Sequence, residues 1–285
     1  MKKQKIIILN ITHGKNPYCK KRHFLPIAAG ASRNEIINDA SGEDNISEKN
    51  KWYGDFTSLY WAWKNLKDVD IIGTSHYRRY IADVDGLSNA WYQMRWWQFK
   101  CNKYDVFKFE KDLKSYDFIM IGTNMLDHTV AERYIIGYRQ PENLEITTNA
   151  LRKIHPDCVK IWQDYLSQNE FRYGYLFITK WDCFDKLMKW LYPVLLEIEN
   201  NIDLTDTSKD HSRVIAFLYE RLVPIFLIRY NYKIKDYGMY FINTQEFQSP
   251  ITIKIKHSKL WQQLKQKFYA IKLKLQHLFS ASKND

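Results

Sequence analysis

The chain has 285 residues, 45% of them apolar and 26% charged, the composition of an ordinary globular protein long enough for one large α/β domain. Its net charge is +11, but residues 251–285 hold eight lysines against the single acid Asp285, a balance of +7 that leaves +4 for residues 1–250. A domain built to bind nucleic acid carries such charge on its folded body, and the four scattered cysteines (Cys19, Cys101, Cys158, Cys183) exclude a paired zinc pattern and a disulfide-stapled secreted fold.

Lys2, Lys3 and Lys5 precede an apolar run that ends at Asn10, too short for a signal segment, and no stretch is long enough to span a membrane. The expected location is the cytoplasm or the inner face of a membrane. Ile6–Leu9 reads as a first strand opening into the polar loop 10–15. Phe24–Ile27 is a weak second strand, and residues 38–55 form a polar loop. Asp55 is a plausible N-cap for a helix carrying Phe56, Leu59, Tyr60, Trp63 and Leu66 at helical spacing. A strand over Val69–Ser75 follows and delivers His76, Tyr77, Arg78, Arg79 and Tyr80 at its carboxyl end. Open α/β sheets bind ligands there. Two adjacent guanidiniums point to an anion, with diphosphate the first candidate. The bland alternative is a salt bridge from these arginines to Asp83 or Asp85.

Residues 86–105, with Trp91, Trp96 and Trp97, read as a loop or short helices over the cleft. Phe118–Gly122 is another strand, and residues 143–168 have a helical period broken at Pro156. Residues 173–179 read as a strand whose Gly174 permits close approach of backbone or ligand. A helix begins at Asp182, another runs over about 210–230, and a last strand covers Tyr237–Ile242. This alternation predicts a mostly parallel sheet with helices on both faces. The tail is different. Leu260, Leu264, Phe268, Ile271, Leu275 and Leu278 recur at helical spacing among lysines, which predicts a basic amphipathic helix; such a helix can pack on a partner helix or bind RNA, but lysines opposite a stripe with Trp261 and Phe268 favour an anionic membrane surface. Residues 1–250 and 251–285 therefore form two units.

Among the groups that could do chemistry, Asp210 is the best carboxylate for a general base and His76 the second choice. Arg78 and Arg79 would hold the anion, while Thr12, His13, Asp44 and Asn45 could contact a base and ribose. Arg213 and Glu220 on the last long helix read equally well as a structural ion pair. Asp68 with Asp70, and Asp83 with Asp85, are short acidic pairs of a kind that can hold Mg2+ or Mn2+. The first sits at the wrong end of its strand and the second resembles a plain turn, so no metal ligand is assigned. No phosphate-binding glycine loop, dinucleotide fingerprint or nucleophile elbow occurs.

Four blocks occur in order: Gly42–Asn50 with its DNIS core, Leu59–Asn65, Ile72–Tyr80 ending in HYRRY, and Phe217–Leu222 containing ERL. Together they resemble a bacterial family long catalogued as a domain of unknown function and associated with glycosyltransferases of capsule, exopolysaccharide and O-antigen synthesis. The resemblance covers about residues 5–243 and leaves out the tail. It implies a GT-A-like, Rossmann-related fold and transfer of a hexose, such as galactose or galactofuranose, from a UDP-sugar; a lipid-linked acceptor is expected because it would explain the tail. The tail, not the resemblance, gives the expected peripheral place on the inner face of the cell membrane, and the nearly balanced body speaks against nucleic acid as a partner. Enzymes of that fold end the corresponding helix–strand unit in an acidic pair that holds a metal. Here His76, Tyr77 and Arg78 stand in that place, which leaves a divalent cation (Mn or Mg) open.

Overall fold

The computed structural model describes residues 4–30, 34–84, 90–138, 140–205, 212–243 and 252–254. Its centre is an eleven-stranded sheet that starts from the apolar run at the amino end. β1 (Ile6–Thr12) is buried along nearly its whole length. A strand covered on both faces reads as continuously apolar, which is the pattern here. β2 (Phe24–Ala28) and β3 (Ile37–Asn38) continue in parallel on one side of β1. A short helix α1 (Asn50–Tyr53) and the longer α2 (Phe56–Asn65) lead to β4 (Ile71–His76), parallel to β1 on its other side. In this register Ile8 faces Gly73 and Ile11 faces His76, so His76 leaves the sheet beside Thr12. Gly73 has to be glycine, because a Cβ there would lie 2.8 Å from the Ile178 side chain and 3.3 Å from the Phe177 carbonyl oxygen. β5 (Arg79–Ile81) turns back at once, with Arg79 opposite His76.

β6 (Trp91–Arg95) runs directly into α3 (Trp96–Cys101), and α4 (Val106–Asp112) precedes the fully buried β7 (Phe118–Ile121). After β8 (Asn124–Met125) come α5 (Val130–Tyr138), α6 (Glu142–Ile154) and α7 (Val159–Ser167). β9 (Glu170–Phe171) pairs with β8 in a separate ribbon. β10 (Phe177–Lys180) returns to the main sheet and feeds α8 (Trp181–Glu199). α9 (Val214–Arg229), apolar on nearly every side, is buried against α8, α7 and α1, as a helix without a polar face must be. β11 (Ile234–Tyr237), β12 (Met239–Asn243) and β13 (Thr252–Lys254) complete the described chain.

The body of the sheet has the order β3-β2-β1-β4-β10-β7-β11, and among the described residues β10 alone runs against its neighbours. This is the mostly parallel, helix-flanked sheet that the alternation of elements predicts. β5, β12, β6 and β13 form an arm that leaves the body at the end of β4.

Local departures have physical causes. Residues 91–95 form a strand rather than a loop because β12 pairs with them in parallel, Met239 beside Trp91. The strand expected over 173–179 begins only at Phe177, after a turn at 174–175. The last expected strand divides at Gly238 into β11, paired with β7, and β12, paired with β5 and β6. The amphipathic segment 257–285 lies outside the described residues.

Candidate functional site

The site forms where β1 and β4 end side by side. The Tyr77 backbone N–H donates to the Ile11 carbonyl at 3.0 Å, which fixes the turn after β4 beside the end of β1. The Arg78 guanidinium lies over the Tyr77 and Phe241 rings, 5.4 and 5.6 Å from their centroids. Arg79 lies over Tyr175 and Phe241 at 5.9 and 5.8 Å. Phe241 arrives from β12, directly opposite Arg79, and is stacked on Trp91 of β6 with 8° between their planes. Aromatic rings within about 6 Å attract a guanidinium and help to hold it in place, and a guanidinium's N–H donors suit an anion. Among the described residues neither arginine forms an ion pair, and the buried Arg78 Nε has no acceptor. Asp83, the possible salt-bridge partner, is engaged elsewhere: it accepts from the Tyr240 hydroxyl at 2.9 Å and the Asp105 N–H at 2.5 Å. Asp85 lies outside the described residues.

Behind the arginines is a polar cluster. His76 Nε2 and Asp55 Oδ2 are 2.9 Å apart, and the Tyr219 hydroxyl donates to the same oxygen at 2.7 Å. Asp55 stands where a helix N-cap would, yet its side chain makes no capping bond to α2. Burial opposes ionisation of Asp55, but the nearby His76 charge and the bonds from His76 and Tyr219 outweigh it and hold the carboxyl below its usual range. The His76 ring also packs 4.9 Å from Tyr175. Next along α9 is Glu220. Among the described residues no group donates a hydrogen bond to its carboxylate. Burial, reinforced by the charge of Asp55, pushes its pKa up to about 8 against the pull of Arg221, Arg79 and Arg213. The Arg213–Glu220 ion pair is not formed within 4.0 Å among the described residues. Arg213 is exposed, in the left-handed region at φ 64, with its N–H bonded to the Lys51 carbonyl. Arg221 points the other way, over Tyr134 and Phe171, with one N–H on the Phe217 carbonyl.

Gly174 serves α9 rather than a ligand. A Cβ there would lie 2.5 Å from the Glu220 carbonyl oxygen and 2.8 Å from Val223, so only glycine lets the turn 174–175 sit against that helix.

The residues expected to meet a nucleoside are separated. His13 lies at the site with its ring edge-on to Tyr77 at 5.3 Å. Desolvation first, then the positive charges of Arg213, His76 and Arg78, lower its pKa and favour the neutral imidazole. Thr12 is fully buried, and its hydroxyl donates to the Asn16 and Pro17 carbonyls at 3.3 and 3.4 Å. Asp44 accepts from the Tyr60 hydroxyl at 2.8 Å, and Asn45 donates to the Ala40 and Gly42 carbonyls, both 3.3 Å away. Asp44 therefore holds the later turns of α2, away from its His76 end, while Asn45 braces the loop before it. The structure brings together His13, His76, Arg78 and Arg79. Asp210 lies outside the described residues. A cleft of about 510 Å3 opens beside the loop after β1, lined by Tyr18, Lys20, Lys21, Trp96, Phe99 and Lys100 among others.

The donor set at the end of β4 suits an anion better than a divalent cation. Among the described residues no three His, Cys, Asp or Glu side chains stand together as a metal-holding group. Asp70, at the entry of β4, accepts from the Lys5 N–H at 2.7 Å.

Asp55, Tyr219 and Phe241 were not among the residues picked from sequence. An aspartate just before a helix carries the signature of an ordinary N-cap, and no local pattern reveals that Phe241 will stand opposite Arg79. The only sequence signal for Tyr219 was its place beside the ERL block.

The family model described as a domain of unknown function, DUF4422, matches residues 6–232. Among solved structures the chain is similar to the WbbM bifunctional glycosyltransferase in its apo form, with a TM-score of 0.74 and 20% identity over 87% of this chain. That match occupies 48% of the other chain, so this protein spans about half the length of the one it resembles. A second structure, core-mannan synthase A from Aspergillus fumigatus in an Mn/GDP form, is 12% identical over 86% of this chain and 79% of that one, with a TM-score of 0.32. No curated protein matches the chain. The likeness to the first structure establishes a shared mixed α/β fold.

Proposed function

We propose that this chain, which belongs to the DUF4422 family, is a glycosyltransferase that moves a hexose from a UDP-sugar to a growing surface polysaccharide. The observation that carries the reading is the pair Arg78 and Arg79 at the end of β4, each backed by aromatic rings and neither paired to a carboxylate among the described residues. Two guanidiniums fixed at that edge match a diphosphate in charge and geometry, and they stabilise the charge that develops as it leaves. The fold shared with a bifunctional glycosyltransferase supports the same reading.

In this account Arg78 and Arg79 bind the diphosphate, and His13 contacts the nucleoside from the loop after β1. Thr12 shapes that loop from below. Asp44 anchors the far end of α2, the helix that follows Asp55, and Asn45 braces the loop that carries Asp44. His76, oriented by Asp55, faces the transferred sugar. With the arginines supplying the positive charge, the diphosphate needs no divalent cation. Galactose or galactofuranose is the expected hexose. The acceptor is lipid-linked, and the basic amphipathic segment 257–285 brings the cleft to the membrane surface where that lipid lies.

The test is a panel of UDP-hexoses incubated with the purified full chain, with and without octyl galactoside as acceptor and with and without EDTA. Transfer predicts UDP release that rises with acceptor and survives the chelator. Equal release without acceptor would indicate an enzyme that modifies the free sugar nucleotide, and failure to bind any UDP-hexose would indicate a non-catalytic module.

A further inference from the structure

We infer that His76 is the catalytic base that takes the proton from the acceptor hydroxyl through Nδ1, and that Asp55 is the residue that positions it and fixes its tautomer. This rests on the transferase reading above.

The His76 ring stands beside the arginines that would hold the diphosphate. His76 and Arg79 are directly opposed in the antiparallel pairing of β4 with β5. Side chains of such a pair rise on the same face of the sheet. Both then meet one ring: the His76 and Tyr175 centroids are 4.9 Å apart, and the Arg79 guanidinium lies 5.9 Å from the Tyr175 centroid. The anomeric carbon of a sugar nucleotide is joined to its diphosphate through a single oxygen. A group fixed beside Arg79 is therefore next to the bond that breaks.

The hydrogen bonds decide which ring nitrogen is free. His76 Nε2 lies 2.9 Å from Asp55 Oδ2, and the Tyr219 hydroxyl donates to the same oxygen at 2.7 Å. Asp55 stays ionised against its burial because the His76 charge and these two bonds favour the carboxylate. A carboxylate only accepts, so Nε2 carries the hydrogen and the lone pair of the neutral ring is on Nδ1. Among the described residues Nδ1 has no hydrogen-bond partner, and it is not one of the buried atoms left unpaired. The His76 side chain keeps 18% of its surface exposed. One nitrogen is anchored and the other is open, as a general base requires.

Other described groups lack this arrangement. His13 has the Asn16 amide beside its ring rather than a carboxylate. Asp39 is fully buried and accepts from the Gly30 N–H, Ser47 and Thr57, so it has no face toward a substrate. Asp83 is held by Tyr240 and the Asp105 N–H.

The step balances as a single displacement. The acceptor oxygen forms a bond to the anomeric carbon as its proton passes to His76 Nδ1. The bond from that carbon to the diphosphate oxygen breaks, its electron pair stays on the diphosphate, and Arg78 and Arg79 take up that charge. The imidazolium is held against the Asp55 carboxylate until its proton passes to water. Attack opposite the leaving group inverts the anomeric centre.

The experiment measures kcat and KM for the UDP-hexose that the wild-type chain turns over best, with octyl galactoside as acceptor. The variants are His76→Gln, His76→Ala, Asp55→Asn, Asp55→Glu and Asp210→Asn, with UDP binding followed by calorimetry. His76→Gln, whose amide still donates to Asp55, should bind UDP and lose about 100-fold or more in kcat. His76→Ala should regain part of its turnover when imidazole is added, a rescue that a merely structural role would not show. Asp55→Asn places an amide donor against Nε2 and moves the ring hydrogen to Nδ1. It should lose kcat by at least the same factor with little change in KM, and Asp55→Glu should restore part of the loss. A His76→Gln protein that binds UDP and keeps its turnover overturns the inference and leaves the transferase reading standing, as does loss of turnover in Asp210→Asn alone. Loss of UDP binding by a folded His76→Gln protein would make His76 a diphosphate ligand and also overturns it. A wild-type chain that turns over no UDP-hexose overturns both.

Discussion

Asp55 is the residue on which most of the polar cluster depends. It binds His76 and Tyr219 through one oxygen and bears electrostatically on Glu220. Its folded-state pKa is depressed, so its charge contributes stability above the ordinary carboxylate range, and that contribution is lost as pH falls through the folded value. Removing one partner of a buried charge pair costs about 3 kcal/mol. Asp55→Asn is therefore expected to lower the urea midpoint substantially at pH 7, with the difference from wild type shrinking in strongly acidic solution. An equal difference at both pH values would mean that the carboxylate charge contributes nothing. At this scale the sequence is only partly legible. The HYRRY block advertises itself because two arginines at the end of an apolar strand have few bland explanations. Asp55 does not, because its position before α2 is also that of a common capping residue, and only the fold shows the side chain turned toward His76.

At the scale of elements, the contact between the turn 174–175 and α9 sets where Glu220 stands. Substituting Gly174 by Ala places a Cβ 2.5 Å from the Glu220 carbonyl oxygen, where backbone rather than a flexible side chain is in the way. Overpacking of this kind costs about 1–3 kcal/mol. Gly174→Ala should lower the melting temperature by several degrees, read by circular dichroism, and because Tyr175 in the same turn backs Arg79 it should weaken UDP binding as well. An unchanged melting temperature would show that the turn yields without cost. The glycine was visible in sequence, but its partner was not, since nothing local distinguishes approach to a helix from approach to a ligand. The same limit applies to β6. An aromatic, irregular stretch at residues 91–95 becomes a strand only because β12, far along the chain, pairs with it. The strands of the body were readable because burial on both faces writes a continuous apolar run.

For the whole molecule, the parallel body β3-β2-β1-β4 brings the ends of β1 and β4 to one edge, and the arm through β5 and β12 adds the aromatic backing there. Under the proposed function the basic segment 257–285 also has a role at the membrane, which predicts that removing it releases the protein from vesicles containing anionic lipid while leaving turnover of a water-soluble acceptor unchanged. Continued sedimentation of the truncated chain with such vesicles would refute the anchor. The fold class was legible from alternating elements and the four sequence blocks. The convergence of Asp55, His76, Glu220 and Arg79 was not, because it arises from contacts between segments distant in sequence. The central claim is that guanidinium charge holds the diphosphate of a sugar nucleotide during transfer. It is tested most directly by comparing acceptor-dependent UDP release by wild type and Arg78→Ala. The variant is expected to keep its circular dichroism and melting behaviour and to lose about 100-fold or more in turnover, whereas near-wild-type turnover by a folded Arg78→Ala protein would contradict the account.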